Sequence, residues 1–372
     1  MRIGVPTEVK NNEYRVSVTP AGAAALIQDG HEVLIQKGAG EGSAYPDSLY
    51  EEVGAKIIDD ADQVWASADM VMKVKEPIEE EYHRLRDGLI LFTYLHLAAD
   101  KACTDAIIKA GTTAIAYETV RTDAGTLPLL VPMSEVAGRL AAQVGAHYLE
   151  KPHGGPGVLM GSVAGVRNAN VVVVGCGQAG RNAAEIAIGM GANVTVLDND
   201  LEKLRWANWQ WGNRARTTYS TPLSVEEAVA DADLVIGSVL IPGAKAPKLV
   251  TDAMVAKMRP GSVLVDIAID QGGCFEGAHP TTHDDPIFTV HDATYYCVAN
   301  MPGCVPHTST TALANATLPY ARAIAKKGWK QALKDDATLR RGLNAHAGKI
   351  SYPGVAEAFD LECVDPEELL EN

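Results

Sequence analysis

Short apolar runs of strand length recur along the chain, and between them apolar positions fall at helical spacing. In the first third, the runs at 2–5, 32–36, 69–74, 89–93 and 113–117 predict strands. The segments 20–29, 60–67, 79–86 and 101–110 predict the helices between them. Several runs are apolar throughout rather than alternating, as expected of strands covered on both faces of a parallel sheet. A longer helix is predicted over 134–150, with Ser134 as its N-cap and Pro132 just ahead. It leads into a glycine-rich stretch from Gly154 to Gly165 that reads as loop or hairpin. A second alternating block opens at Val171 and continues through strands near 193–198, 233–238, 262–267 and 287–291. The segment 308–330 again has helical spacing.

This order predicts an α/β protein of two doubly wound Rossmann-like domains, the second inserted into the first. The expected boundaries are 1–130 with 305–372 for a substrate domain and 131–304 for a nucleotide domain. The 134–150 helix is expected to bridge them, with the active site in a cleft. A length of 372 residues agrees, since single cores stop growing beyond about 250–300 residues.

Composition narrows the function classes. With 32 basic and 47 acidic residues the formal charge is −15, which disfavours a phosphate backbone as partner. No apolar run nears the ~20 residues of a membrane span. The six cysteines, Cys103, Cys176, Cys274, Cys297, Cys304 and Cys363, show neither Cys-x-x-Cys nor zinc-like spacing. They read as reduced, mostly buried thiols, and the expected location is the cytoplasm. The N-terminus opens directly on a strand-like segment, which argues against a signal peptide.

The clearest chemistry follows the run Val171-Val172-Val173-Val174, where Gly175-Cys176-Gly177-Gln178-Ala179-Gly180 precedes a helical segment. A Gly-x-Gly-x-x-Gly between strand and helix allows a tight turn, close approach to a pyrophosphate, and tight helix–strand packing. The helix N-terminus then offers unpaired amides to the phosphates. Asp198 ends the next strand, where a carboxylate accepts from the ribose hydroxyls and repels a 2′-phosphate, favouring NAD over NADP. Lys203 and Arg205 follow closely and could offset a phosphate, which softens that exclusion.

Several separated segments together carry a resemblance. They are Gly4-Val5-Pro6-Thr7-Glu8, Asn11-Asn12-Glu13-Tyr14-Arg15-Val16, Lys73-Val74-Lys75-Glu76-Pro77 and Leu95-His96-Leu97-Ala98. Further on come Ala116-Tyr117-Glu118-Thr119, Pro132 to Gly138, Val265 to Gly273 and Val298 to Pro302. In order and spacing they resemble the L-alanine dehydrogenases, with the proton-translocating transhydrogenase α subunits as relatives of the same fold. The resemblance implies reversible oxidative deamination of L-alanine to pyruvate and ammonia with NAD, in a homo-hexamer. It implies that Arg15 and Lys75 hold the substrate's carboxylate and carbonyl oxygen, that His96 is the general acid/base, and that Asp270 assists proton transfer. It places the dinucleotide against Ser134, the 175–180 loop, Asp198, Lys203, Ser220, Val239, Leu240, Ile267, Ala268, Ile269, Asp270, Val298, Ala299, Asn300 and Met301. Glu118 is a supporting candidate and Tyr94 reads as packing.

Each substrate-site residue also has a plainer reading. Arg15 and Lys75 alone would suit surface ion pairs, His96 between two leucines a hydrogen-bonded core position, and Asp270 the start of a glycine-rich turn. The alternatives in function are a related amino-acid dehydrogenase of another substrate and a non-catalytic NAD-binding subunit. The chain departs from the family pattern at His279, where members often carry a cofactor-contacting arginine. It also departs at 322–327, which lacks acidic and histidine ligands, so no metal is expected. The cluster Trp206, Trp209 and Trp211 suits helix packing or a subunit contact better than a ligand.

Overall fold

The computed structural model describes residues 1–239 and 246–371, which divide into two compact units, 1–133 with 305–372 and 134–304. In the first unit β1 (Arg2–Val5), β2 (Glu32–Gln36), β3 (Lys56–Ile58), β4 (Met70–Met72), β5 (Ile90–Thr93) and β6 (Thr113–Ala116) are all parallel. In the second, β7 (Asn170–Val174), β8 (Asn193–Asp198), β9 (Ala215–Tyr219), β10 (Leu234–Gly237), β11 (Val263–Asp266) and β13 (Ala293–Tyr296) are parallel. There β12 (Ile287–Val290) pairs antiparallel on the edge. The chain then returns to the first unit through the helix Pro306–Lys327, and β14 (Leu343–His346) and β15 (Lys349–Ile350) extend the first sheet antiparallel.

The spatial order of the first sheet is β15-β14-β6-β5-β4-β1-β2-β3, and of the second β12-β13-β11-β10-β7-β8-β9. Stripped of antiparallel additions, each is the same doubly wound order, with strands one to three running one way from the centre and four to six the other. The direction of winding reverses between β1 and β4 in one unit and between β7 and β10 in the other. At such a point helices lie on opposite faces and leave a crevice at the carboxyl ends of the strands, where α/β proteins bind ligands. The central strands are buried without alternation, as at β5 and β10. The expected doubly wound α/β fold is therefore present twice.

Two details differ from the sequence reading, and a third feature, read as loop or hairpin, is a loop. The connecting helix runs Val131–Tyr148, so Ser134 lies inside its first turn and is not its N-cap. Pro132 is tolerated there because the first-turn N–H groups have no intrahelical acceptor in any case. The segment 79–86 forms a 3-10 helix, Glu79–Arg84, with Glu81 drawn inward by a buried lysine. The Gly154–Gly165 stretch has no strand pairing.

Candidate functional site

In the unit 134–304 the glycine loop leaves β7 at the winding reversal. Gly175 has φ +104°, and an added Cβ would lie 2.9 Å from Val239 Cγ2 and 3.0 Å from Ser238 Oγ. At Gly180 a Cβ would collide with the Gly175 carbonyl, since the helix Gln178–Gly189 sits directly on the strand end. Gly177 is different. Its φ of −77° suits any residue, and nothing lies within 4 Å of a Cβ there. The protein's own packing does not call for a glycine at 177, whereas a pyrophosphate lying against the backbone would.

Asp198 closes the loop from β8. Its Oδ2 accepts from Cys176 N–H at 2.7 Å, its Oδ1 from Asp200 N–H at 2.9 Å, and Lys203 Nζ stands 3.7 Å from Oδ2. A carboxylate has about four acceptor sites, so capacity remains for ribose hydroxyls. Ser220 follows β9 and donates its N–H to the Asp198 carbonyl at 3.0 Å. Val239 follows β10, and Ile267, Ala268, Ile269 and Asp270 follow β11. The Ile267 N–H donates to the Gly237 carbonyl at 2.9 Å. Val298, Ala299, Asn300 and Met301 follow β13, where Ala299 N–H donates to Thr281 at 3.1 Å and Asn300 has φ +61°. Apart from Ser134 on the connecting helix, these candidates line the carboxyl edge of one sheet. Leu240 lies outside the described residues.

The loop that carries Asp270 is braced by a residue the sequence reading passed over. Asp266 ends β11 fully buried and accepts from Ala268 at 3.1 Å, Cys274 at 2.8 Å and Phe275 at 3.3 Å. Burial pushes its carboxyl up to about 6, against the opposing pull of these three amides. Lys248 ties the far side through the carbonyls of Gly272 and Phe275, at 2.5 and 2.9 Å. Asp270 itself is exposed at the tip, within the 3-10 turn Ile269–Gln271.

In the other unit, Arg15 follows β1, Lys75 follows β4 and His96 follows β5, on both sides of the winding reversal. Arg15 is 3% exposed, so it is no surface ion-pair residue. Glu13 grips it in a fork: Nε and Nη2 donate to Oε1 and Oε2, each at 2.6 Å, and Nη1 donates to Met133 Sδ at 3.0 Å. Burial works against the guanidinium's charge, but the Glu13 hydrogen bonds and charge outweigh it and hold Arg15 protonated above its ordinary range. Lys75 is half-buried, and its backbone is fixed on both sides. Glu8 Oε2 accepts its N–H at 3.3 Å, and Thr93 Oγ1 donates to its carbonyl at 3.1 Å. Glu8 in turn belongs to a buried trio in which Lys73 Nζ lies 3.1 Å from Glu8 and 2.9 Å from Glu81.

His96 is exposed, with its backbone in the left-handed region at φ +47° and ψ +34°. A non-glycine residue there is uncommon, and such strain gathers where surroundings over-determine it. Glu118 supplies the constraint by accepting from His96 N–H at 2.7 Å and from Leu95 N–H at 3.2 Å. The imidazole stacks 5.9 Å from the Tyr94 ring at 12°, and Tyr94 donates its hydroxyl to the Leu129 carbonyl at 2.5 Å. The core-histidine reading of His96 therefore fails. Tyr94 is the buried platform beneath it. Glu13, Glu8, Glu118 and Asp266 are thus four carboxylates that aim or brace the candidate residues.

Elsewhere, four cysteines are buried and Cys304 and Cys363 are exposed, all as free thiols. Trp211 is buried and Trp206 packs edge-on against it at 5.6 Å beneath the Arg181 guanidinium, while Trp209 is 81% exposed. His279 stacks on Phe288 at 3.8 Å. No helix among the described residues is long and apolar enough to cross a membrane.

A doubly wound sheet with a Gly-x-Gly-x-x-Gly loop at its winding reversal and a second such sheet carrying a basic, imidazole-bearing edge fit a nicotinamide-dependent oxidoreductase. The chain belongs to the alanine dehydrogenase/PNT family, whose N-terminal domain pattern matches residues 4–137 and whose C-terminal domain pattern matches 141–353. It is 60% identical over 370 residues to the alanine dehydrogenase of Mycolicibacterium smegmatis, covering 100% of both chains. It is 54% identical over 373 residues to that of Bacillus subtilis, covering 100% of this chain and 98% of the other. A solved L-alanine dehydrogenase superposes with a TM-score of 0.94 at 47% identity, over 97% of this chain and 99% of that one. A transhydrogenase from Sinorhizobium meliloti superposes with 0.81 at 26% identity, over 95% and 99%.

Proposed function

We propose that the chain catalyses the reversible, NAD-dependent oxidative deamination of L-alanine to pyruvate and ammonia. The reading rests on one observation above the others: Arg15, Lys75 and His96 follow three different strands yet all emerge at the carboxyl edge where one sheet reverses its winding. In this reading the unit 1–133 with 305–372 handles substrate and the unit 134–304 handles the dinucleotide.

The open space at Gly177 and the braced Asp198 fit a dinucleotide, with Gly175 to Gly180 along the pyrophosphate and Asp198 on the adenine ribose. Lys203, Ser220, Val239 and Leu240, the 267–270 and 298–301 segments and Ser134 complete the contact set. Asp198 is the reason for proposing NAD over NADP. Held by the 175–180 loop and Asp198, a nicotinamide cofactor would supply a hydride acceptor for oxidation of the substrate's Cα–N bond.

The chain's own residues do the rest. Arg15, its orientation set by Glu13, binds the substrate carboxylate and so fixes the tilt of Cα. Lys75 stands as a point charge for the oxygen that develops as water adds to the imine carbon. His96 takes the proton from that water and returns one to the departing amine, since an imidazole can both accept and donate a proton. Asp270 assists proton transfer. In the reverse direction the same groups assist attack of ammonia on pyruvate.

The test is NADH formation from L-alanine and NAD, repeated with His96→Ala and Asp270→Ala. Loss of a general acid/base costs about 10²–10⁴-fold in kcat, and unchanged turnover would remove these roles. Comparing kcat/KM for pyruvate, glyoxylate and 2-oxoglutarate with ammonia separates alanine from other small amino acids. Tight NADH binding with no turnover of any 2-oxo acid would favour a non-catalytic subunit. A cytoplasmic homo-hexamer completes the proposal, and sedimentation equilibrium checks the subunit number.

A further inference from the structure

The nucleotide unit holds a second cluster of ligand-bearing side chains, apart from the glycine loop. His147 lies in the last turn of the helix Val131–Tyr148, His153 ends the 3-10 turn Lys151–His153, and Glu150 lies between them. One ligand atom from each lies within 4.8 Å of the other two. His153 Nε2 is 3.6 Å from Glu150 Oε2, and the two imidazole rings face each other at 3.7 Å and 31°. Among the described residues this is the group of three histidine, cysteine or carboxylate side chains close enough to share an ion.

We propose that His147, Glu150 and His153 form a binding site for a first-row divalent transition metal such as zinc, cobalt or nickel. Two imidazole nitrogens and one carboxylate oxygen suit these ions, whereas magnesium and calcium prefer all-oxygen shells. In a tetrahedral site the ligand atoms sit about 3.4 Å apart at metal–ligand distances of about 2.1 Å, so the exposed side chains close the set by turning the two rings out of their stack until both nitrogens face the ion. Because all three side chains are exposed, water completes the coordination.

The backbone beneath the three residues is fixed by its own bonds. Glu150 N–H donates to His147 at 3.2 Å, His153 N–H to Glu150 at 3.1 Å, and Gly155 N–H back to Glu150 at 3.1 Å. Leu149 is fully buried between them, and a Cβ at Gly155 would collide with the Tyr148 carbonyl, so the turn has one packed form. The carbonyl end of the 18-residue helix favours positive charge at this place as well. The bound ion would clamp the helix end to the turn that follows. This site runs against the absence of metal expected from the sequence, because the ligands are three residues apart across a helix end rather than in a familiar zinc spacing.

The experiment uses the chelator-treated full chain titrated with cobalt(II), followed by its visible d–d absorption, and with zinc by calorimetry. The expected result is one equivalent per chain, with zinc displacing cobalt, and at least tenfold weaker binding in His147→Ala and in His153→Ala. Glu150→Gln should weaken it by a similar factor. Since the three side chains are exposed, the variants should keep the parent's melting temperature and its alanine-dependent NADH formation. Exposed pairs such as His291 with Asp252 can also take up metal, so the parent-minus-variant difference is the readout. Equal binding by parent and both histidine variants, or no saturable binding by the parent, overturns the site.

Discussion

At the scale of single residues, two glycines of one loop make separable demands. Gly180 is required by the fold, because a Cβ there meets the Gly175 carbonyl, which is backbone and cannot step aside. Gly177 faces open space in an ordinary backbone conformation. Gly180→Ala should therefore lower the stability of the ligand-free protein by at least ~1–3 kcal/mol, the usual scale of overpacking. Gly177→Ala should cost the ligand-free protein no more than the ~1 kcal/mol of a changed helix N-cap, and weaken NADH binding tenfold or more in calorimetry. If Gly177→Ala binds NADH like the parent, the pyrophosphate lies elsewhere. Asp198 carries a second prediction at this scale. Lys203 stands 3.7 Å away and is held by that carboxylate. With Asp198→Ala the lysine would face a 2′-phosphate, so the NADP-to-NAD ratio of kcat/KM should rise at least tenfold. Part of the change will come from NAD, since Asp198 also accepts from the Cys176 amide.

At the scale of elements, the 266–275 loop shows how a buried group sets a pH response. Asp266 keeps its proton up to about 6 in the folded chain, against a reference of 3.8. Between these values the native state binds more protons than the unfolded one, so stability falls as pH rises through the window. This is the opposite of a salt-bridged aspartate. At about 1.4 kcal/mol per pH unit the contribution is on the order of 3 kcal/mol, present below about pH 4 and lost by about pH 6. Asp266→Asn cannot ionise, so its melting temperature relative to the parent should climb between pH 4 and 6. Parallel curves would mean the three amides already hold the carboxylate ionised at pH 4. A similar argument applies to the strand ends of the other unit. Lys73→Met would leave Glu8 and Glu81 facing each other in the core, at a cost of about 3–5 kcal/mol by chemical denaturation.

The same elements show which features the sequence made legible. β1, β2, β5, β8 and the valine run of β7 could be read because strands covered on both faces are apolar at nearly every position. The edge strands β3 and β9 escaped notice, since Lys56–Ile58 and Ala215–Tyr219 carry polar residues on open faces and show no buried run. β14 was hidden for another reason, since it pairs antiparallel with β6 after a return of over two hundred residues, and β15 only adds a short hairpin to it. In the site, contiguous motifs were readable and their supports were not. Glu8 reaches Val74 and Lys75 across more than sixty residues, and Glu118 reaches His96 across 22. Glu13 was the exception, a carboxylate two residues from the arginine it orients, and that spacing was available as a signal.

At the scale of the molecule, one winding order has been used twice, each time with its own core residues and its own winding reversal. The core of the unit 134–304 includes Val172, Val235, Leu264, Phe275 and Tyr295, all drawn from within that unit. The core of the other includes Trp65, Leu91, Leu95, Ile107 and Val355, from both ends of the chain. Separate cores allow separate opening, because cooperative units in hydrogen exchange follow contiguous packing. A ligand that binds one folded unit stabilises what must stay folded to bind it, by about 2.7 kcal/mol at a hundred times Kd. Saturating NADH should therefore slow exchange of the β7, β8, β10 and β11 amides about a hundredfold where exchange proceeds by opening of that unit. If the units open independently, amides of β1, β4, β5 and β6 should change much less. Equal protection of both sets would show that the chain opens as a single cooperative body, and the division into two units would then describe its packing but not its energetics.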